Sequence, residues 1–271
     1  MNKPLSSLQV RSGKRFRIAA VDPDSTPGWK GDKAEAKAAA LKLNDRLEQL
    51  QELMYAEHKH KLLVVLQAMD TGGKDGTIRR VFDGVNPVGV RVASFKAPTP
   101  VELDHDYLWR VHAQVPGRGE LTIFNRSHYE DVLVVRVHEF VPERVWRRRF
   151  AQIRDFERML AEEGTTIVKF FLHISQEKQK QRLQARLDDR ANQWKFNPGD
   201  LKERELWDKY MQAFQDAAGE TSTDFAPWYV VPANKKWYRD WAILKILVDT
   251  LEGMKLAYPK PTFDPKTIRI K

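Results

Sequence analysis

Cysteine is absent from this chain, which removes disulfide scaffolds, thiolate zinc sites and cysteine nucleophiles from consideration. Its absence also suits a reducing compartment, so a cytoplasmic location is expected. Long apolar runs are missing too. None approaches the roughly 20 residues that a membrane-spanning helix needs, and the opening Met-Asn-Lys-Pro-Leu-Ser-Ser lacks the apolar stretch of a secretory leader. No internal repeat, low-complexity tract or linker-like composition interrupts the 271 residues, a length that one large α/β domain fills. Acid is in short supply. Lys and Arg number 46 against 37 Asp and Glu, a formal surplus of +9. Such a surplus points to an anionic partner, be it nucleic acid, anionic lipid or a phosphate-rich molecule or polymer. It is spread along the chain, however, with Arg147-Arg148-Arg149 as the one tight run, and it speaks only to the sign of the ligand. A composition 42% hydrophobic and 31% charged is that of a folded, non-membrane protein.

What is present is an alternation of strand and helix patterns. Residues 1–30, with Pro23 and Pro27-Gly28, read as an irregular arm. Leu43, Leu47, Leu50 and Met54 then share one face of a helix over Lys33 to Tyr55. The short apolar run Leu62 to Leu66 has the pattern of a strand buried on both faces. Val90 to Phe95, Leu121 to Phe124, Thr166 to Leu172 and Trp228 to Val231 complete a set of five. Between them, Thr99-Pro100-Val101-Glu102 opens a helix with a capping box and proline at the first position. Helices are expected from Glu143 to Glu163, stopped by Gly164, from Gln176 to Arg190, from Asp200 to Ala218 with Asp200 and Glu203 as a capping box, and from Lys235 to Met254. Strands alternating with helices imply parallel crossovers and a doubly wound α/β sheet in a single domain.

The chemistry-bearing segment follows the first strand: Ala68-Met69-Asp70-Thr71-Gly72-Gly73-Lys74-Asp75-Gly76-Thr77, then a helical pattern. It matches the phosphate-binding P-loop in spacing and in its strand–loop–helix context. Ala68 stands where that pattern has glycine, and Asp75 where it has the Ser or Thr that holds magnesium. Gly72 and Gly73 still allow amides to converge on a phosphate at a helix N-terminus. Lys74 supplies a point charge, and Asp70 or Asp75 can serve a hard metal ion. The bland reading is a glycine-rich turn with Lys74 in solvent.

A second constellation ends the third strand: Asn125-Arg126-Ser127-His128-Tyr129-Glu130-Asp131. Strand carboxyl ends are where open α/β sheets bind ligands, so these residues belong near the loop. Asn125 occupies the position where P-loop enzymes commonly carry a magnesium-linked Asp, with Glu130 and Asp131 one turn later. The alternative is that Asn125 caps a helix and the two acids favour its N-terminus. The third constellation is Arg182, Arg186 and Arg190, spaced by four on one helix face and followed by Trp194-Lys195. This row either stabilises charge on a phosphoryl group or is a solvated face. His58, His60, His105, His128 and His173 show no metal-ligand spacing, and His128 reads as structural.

Taken together, Asp70-Thr-Gly-Gly-Lys-Asp-Gly76, Glu102 to Arg110, Asn125 to Tyr129, Arg182 to Lys195 and Ala226-Pro-Trp228 resemble the polyphosphate kinase 2 family, in the family's order. The resemblance implies a three-layer α/β/α P-loop kinase fold similar to thymidylate kinase, with a five-stranded parallel sheet and a helical lid over 176–218, all in one domain of residues 1–271. It implies reversible phosphoryl transfer between inorganic polyphosphate and a nucleotide with Mg2+ or Mn2+. Adenine nucleotides are the expected acceptors, with guanine a further candidate base, and a homodimer or homotetramer is the expected assembly; neither membrane nor nucleic acid is an expected partner. Carried over by position, Thr71, Gly72, Gly73, Lys74, Asp75, Gly76, Thr77 and Arg182 would bind phosphate. Asp70, Asn125, Glu130 and Asp131 would serve the metal, and Arg126 and Arg186 would neutralise the group in flight. Asn125-Arg126, where many members have Asp-Arg, is most like the class III branch, whose members phosphorylate both nucleoside mono- and diphosphates. The rival readings are an ATP-dependent P-loop kinase of a small metabolite or nucleotide, and a basic nucleic-acid-binding protein.

Overall fold

The computed structural model describes residues 5–13 and 15–270; of the arm expected over 1–30, residues 1–4 and 14 lie outside the described residues, as does 271. The first half of the chain runs α1 (Lys33–Glu57), β1 (Lys61–Gln67), α2 (Lys74–Val81), β2 (Val90–Ser94), α3 (Pro100–Leu103), α4 (Trp109–His112) and β3 (Leu121–Asn125). A 3₁₀ turn over His128–Val132 leads to α5 (Val134–Val137), α6 (Glu143–Glu162) and β4 (Thr165–His173). The remainder is α7 (Gln176–Asp188), α8 (Gly199–Glu205), α9 (Trp207–Thr221), β5 (Trp228–Pro232) and α10 (Lys236–Gly253). The five strands form one sheet in the order β2-β3-β1-β4-β5, each pair parallel.

The alternation of side chains along β1 explains the three layers. Leu62, Val64 and Leu66 point to one face and pack with Leu47, Leu50 and Met54 of α1 and Ile243 and Leu247 of α10. Leu63 and Val65 point to the other, against Phe150 and Ile153 of α6 and Phe214 of α9. A strand buried on both faces needs an unbroken apolar run, which β1 has.

Local signals hold in several places. Thr99 and Glu102 form the reciprocal capping box, with Thr99 N–H donating to Glu102 Oε2 at 2.7 Å and Glu102 N–H to Thr99 Oγ1 at 3.3 Å, although α3 is a single turn. Gly164 takes φ +86° just past α6. Two expectations fail. The helix expected over Asp200 to Ala218 is broken at Leu206 into α8 and α9. Asp200 is no cap: it lies inside the first turn of α8, after Pro198 as the N-terminal flanking residue, and that end has no side-chain cap. The arm is also less irregular than its composition indicates. Gln9 bridges Tyr229 and Val10 N–H donates to Trp228 O at 2.9 Å, so the arm covers the outer edge of β5. Among the described residues, no helix is long and apolar enough to cross a membrane.

One polar knot is sealed between β4, α6 and the 3₁₀ turn. Lys169 Nζ donates to Glu157 Oε2 at 2.5 Å, to Tyr129 Oη at 2.8 Å and to Thr221 O at 2.9 Å, using all three ammonium hydrogens. Tyr129 Oη donates to Glu157 Oε1 at 2.8 Å, and His128 Nε2 lies 3.3 Å from the same oxygen. His128 is therefore part of the scaffold. Burial alone would raise the Glu157 carboxyl, but Lys169 and His128 hold it below the usual carboxylate range. The pair's contribution to stability is thus complete above the ordinary glutamate range and fades as pH falls below it. Lys169→Met strands a buried carboxylate and is expected to cost about 3–5 kcal/mol in urea unfolding, whereas adding Glu157→Gln recovers a large part of the loss. Equal destabilisation by the single and double variants would contradict this account.

Candidate active site

At the end of β1 the chain enters the glycine-rich loop with two residues in the left-handed region, Thr71 at φ +58° and Gly73 at φ +103°. Threonine there is strained, a cost that loops accept where the shape is needed. Gly72 has no room for a side chain: a Cβ would lie 2.5 Å from Ala68 Cβ and 2.7 Å from Met69 O.

The carbonyls of this loop are all hydrogen-bonded within the protein. Ala68 O accepts from Lys74 Nζ at 3.0 Å, Met69 O from Gly72 N–H at 2.9 Å, and Asp70 O from Gln179 Nε2 at 3.1 Å. Thr71 O and Gly72 O both accept from Arg182 Nη1 at 3.1 Å, and Gly73 O accepts from Thr77 N–H at 2.9 Å. The N–H groups of Thr71, Gly73, Lys74, Asp75 and Gly76, by contrast, meet no acceptor among the described residues. These amides open α2, where backbone donors have no intrahelical partner and the helix dipole adds positive potential. The result is a concave set of donors matched to an anion. Lys74 sits beside it. Burial, followed by Arg126, holds its ammonium below the ordinary lysine range, with Asp70, Glu130 and Asp75 opposing.

The end of β3 lies next to this loop because β1 and β3 pair in register, Leu66 opposite Asn125. Asn125 Nδ2 donates to Asp75 Oδ1 at 2.8 Å, which leaves the Asn125 carbonyl oxygen free of that contact. Ser127, not Asn125, caps the following turn, its Oγ accepting from Tyr129 N–H at 3.2 Å. Arg126, itself at φ +63° with its N–H bonded to Leu66 O, reaches Asp70 Oδ1 at 2.8 Å. Glu130 and Asp131 part company. In a 3₁₀ turn successive side chains diverge by about 120°. Glu130 faces Arg126 and Lys74, and burial lifts its carboxyl above the usual range while those two cations pull it back. Buried Gln67, oriented so that both ends of its amide are satisfied, donates to Glu130 Oε1 at 3.0 Å and accepts from Ser127 N–H at 3.2 Å. Asp131 turns away and pairs with Arg149 at 2.9 Å; burial pushes it up to about 6 despite that partner. Asp131, expected to serve a metal, is thus held by an arginine in this structure.

The arginine row also divides. Four helical residues advance about 6 Å along the axis, so Arg182 lies under the loop while Arg186 lies beyond it. Arg186 Nη1 donates to Lys195 O at 3.2 Å and stands 3.6 Å from Asp200 Oδ2. Arg190 and Trp194 are exposed, the latter at 78%. Arg182, expected to bind phosphate, gives its Nη groups to the main-chain carbonyls of Thr71, Gly72 and Ala233. Sequence reasoning missed Gln67, Gln179, Arg239 and Asp240. The signal for the last two was an Arg-Asp pair between Tyr238 and Trp241 in a helix that is apolar nearly all round.

Among the described residues, no three Asp, Glu, His or Cys side chains converge as a metal cage. Asp70, Asp75 and the Asn125 carbonyl do place hard oxygens around the loop mouth. That donor set suits Mg2+, which is commonly held by one or two carboxylates together with substrate phosphates.

Comparison with known proteins places this geometry. The family pattern described as Polyphosphate kinase 2 (PPK2) matches residues 30–259. An AMP/ADP-polyphosphate phosphotransferase from Meiothermus ruber is 62% identical over 257 residues, covering 95% of this chain and 96% of that protein. An ADP-polyphosphate phosphotransferase from Rhodopseudomonas palustris is 45% identical over 80% of each chain. The crystal structure of polyphosphate kinase 2 from Arthrobacter aurescens superposes with a TM-score of 0.94 at 49% identity, covering 98% of this chain and 94% of that one. With a five-stranded parallel sheet, an anion cradle at the end of β1 and likeness running nearly end to end, the chain belongs to the polyphosphate kinase 2 family.

Proposed function

We propose that this protein transfers phosphoryl groups reversibly between inorganic polyphosphate and adenine nucleotides, accepting AMP as well as ADP in the manner of the class III branch. The observation that carries the reading is the loop whose carbonyls are all hydrogen-bonded within the protein and whose amides from Gly73 to Gly76, beside Lys74 and Arg126, meet no acceptor among the described residues. The 62% identical relative, named for both AMP and ADP, supports the choice of acceptors.

Phosphoryl transfer needs little covalent work from the protein; it needs in-line positioning and stabilisation of charge. The amides of Gly73 to Gly76 bind phosphate oxygens, and Lys74 exchanges Ala68 O for a phosphate. Arg126 supplies a guanidinium at the neighbouring strand end. Arg186, in a lid over 176–218, would reach the group in flight once its contact with Lys195 O is released. Mg2+ or Mn2+ held by Asp70 with the Asn125 or Asp75 oxygen would offset phosphate charge. Glu130, next to Lys74 and Arg126, tunes their charge and shapes the acceptor end. The same reading treats residues 1–271 as one kinase domain, since two cores share a single sheet. The basic surplus then serves a polymer with about one negative charge per unit, held in part by counterion release.

The test supplies AMP or ADP with long-chain polyphosphate as sole donor and follows ADP and ATP formation. Product is expected from both acceptors, and a strict need for ATP as donor would overturn the reading. In that assay Lys74→Ala should retain about 10% of activity or less, through loss of a contact worth ~2 kcal/mol or more in the transition state.

Glu130→Gln removes a negative charge that raises the Lys74 pKa. The lysine therefore deprotonates at lower pH, and the alkaline limb of the kcat/KM profile should move down. AMP phosphorylation should fall more than ADP phosphorylation. Asp131→Asn should leave both the limb and the metal requirement in place, because its carboxylate belongs to Arg149. Identical profiles for wild type and Glu130→Gln would remove Glu130 from the site.

A further inference from the structure

We infer that Gln179, Arg182 and Arg239 are positioning residues that aim the amides of the phosphate loop from beneath, without touching the phosphates themselves. The inference rests on the reading of the loop as a phosphate site and assigns the groups that give it its shape.

A trans peptide unit is planar, with its C=O and the following N–H pointing in opposite directions. The chain has no cis peptide among the described residues. Fixing a carbonyl on one side therefore fixes the next amide on the other. Gln179 Nε2 holds Asp70 O at 3.1 Å, and the paired amide is Thr71 N–H. Arg182 Nη1 holds Gly72 O at 3.1 Å, and the paired amide is Gly73 N–H. Arg239 Nη1 approaches Gly73 O at 3.4 Å, joining Thr77 there, and the paired amide is Lys74 N–H. All three of those amides belong to the set that meets no acceptor among the described residues. At these three peptides the bonds from below and the free donors above are two sides of one plane; the Thr71–Gly72 unit, whose carbonyl Arg182 also holds, turns its N–H to Met69 O instead.

Each holder is anchored to a rigid element. Arg182 Nη2 also donates to Ala233 O at 2.6 Å, so one guanidinium ties the loop to the end of β5. Buried Gln179 lies one turn earlier on α7, and its Oε1 accepts from Arg204 Nη1 at 3.1 Å. Arg239 is 1% exposed and gives Nε and Nη2 to Asp240 Oδ1 at 2.8 and 2.5 Å. Asp240 Oδ2 in turn lies 3.8 Å from Arg80 Nε on α2. The loop accommodates this floor at a cost in sequence: a Cβ on Gly73 would run into Arg239 Nη1.

Charge argues the same way. Arg239 has Asp240, but Arg182 has no carboxylate within ion-pair distance among the described residues, and its Nε is buried without a partner. Burial, with Arg239 nearby, pushes the Arg182 guanidinium down to about 10. Two cations behind the loop are better balanced when an anion lies in front. Lysine cannot replace either one, because a single ammonium does not present the planar fork that spans two acceptors.

The experiment uses the full-length Arg182→Lys and Arg239→Lys variants, which keep the charge and lose the fork. Three quantities are measured: calorimetric affinity for inorganic tripolyphosphate, KM and kcat with long-chain polyphosphate, and the ligand-free melting temperature. Each variant is expected to remain folded at 25 °C and to bind tripolyphosphate at least tenfold more weakly. Its KM for polyphosphate should rise in step while kcat at saturation stays within threefold of wild type. Unchanged affinity in a folded variant overturns the inference. So does a fall in kcat at constant KM, which is the mark of direct contact with the transferring group. If a lysine variant does not fold, Gln179→Leu, which releases only the Asp70 carbonyl, decides by the same criterion. Absence of tripolyphosphate binding by the wild type would overturn the phosphate-site reading itself and this inference with it.

Discussion

A stretch of backbone binds an anion only when its carbonyl oxygens are kept away from that anion. Each peptide carries a donor and an acceptor of similar strength, and a free loop presents both. In this protein every carbonyl from Ala68 to Gly73 accepts a hydrogen bond, those of Asp70, Thr71 and Gly72 from α7 side chains behind the loop, and the donors of Gly73 to Gly76 meet no acceptor among the described residues. Much of the surrounding architecture serves that asymmetry. Strand β1 delivers the loop, α2 continues its donors into a helix N-terminus, and α7 and α10 bring side chains up from below.

Rigidity around the site comes from the sheet and from one buried polar knot. Leu66 pairs with Asn125 across the β1–β3 boundary, so the two segments of the site leave adjacent strands at the same height. Tyr129, bonded to Lys169 and Glu157, fixes the 3₁₀ turn in which Glu130 is the next residue. A carboxylate that tunes Lys74 and Arg126 is therefore held by an ion pair on the far side of the same turn. This explains why a fully buried Lys–Glu pair, a weak source of stability in itself, sits so near the working end of the molecule.

The sheet was legible because both of its signals are local. An unbroken apolar run marked β1, and Pro100, Gly164 and the Thr99–Glu102 box marked helix ends. The loop was legible because Gly-Gly-Lys after a buried strand has few other uses. What escaped notice depends on where a side chain goes after it leaves the backbone. Glu130 and Asp131 are adjacent in sequence, yet the 3₁₀ turn sends one toward Lys74 and the other to Arg149. Arg182 and Arg186 share a helix face, but the loop is short, and only the first lies beneath it. Arg239 belongs to no motif of the sequence, and its burial shows only through its neighbours Tyr238 and Trp241, both core residues. The break at Leu206 carries neither glycine nor proline, and the pattern of residues around it gives no sign of it.

The central claim is that the loop is an anion cradle held open from behind. The most direct measurement is a crystal structure with inorganic tripolyphosphate bound. The account predicts phosphate oxygens within hydrogen-bond distance of the Gly73, Lys74, Asp75 and Gly76 amides, with Lys74 Nζ moved from Ala68 O onto a phosphate. Arg182 and Arg239 should remain on the loop carbonyls, with no bond to the ligand. Phosphate bound elsewhere, or Lys74 still on Ala68 O with the ligand in place, would contradict it.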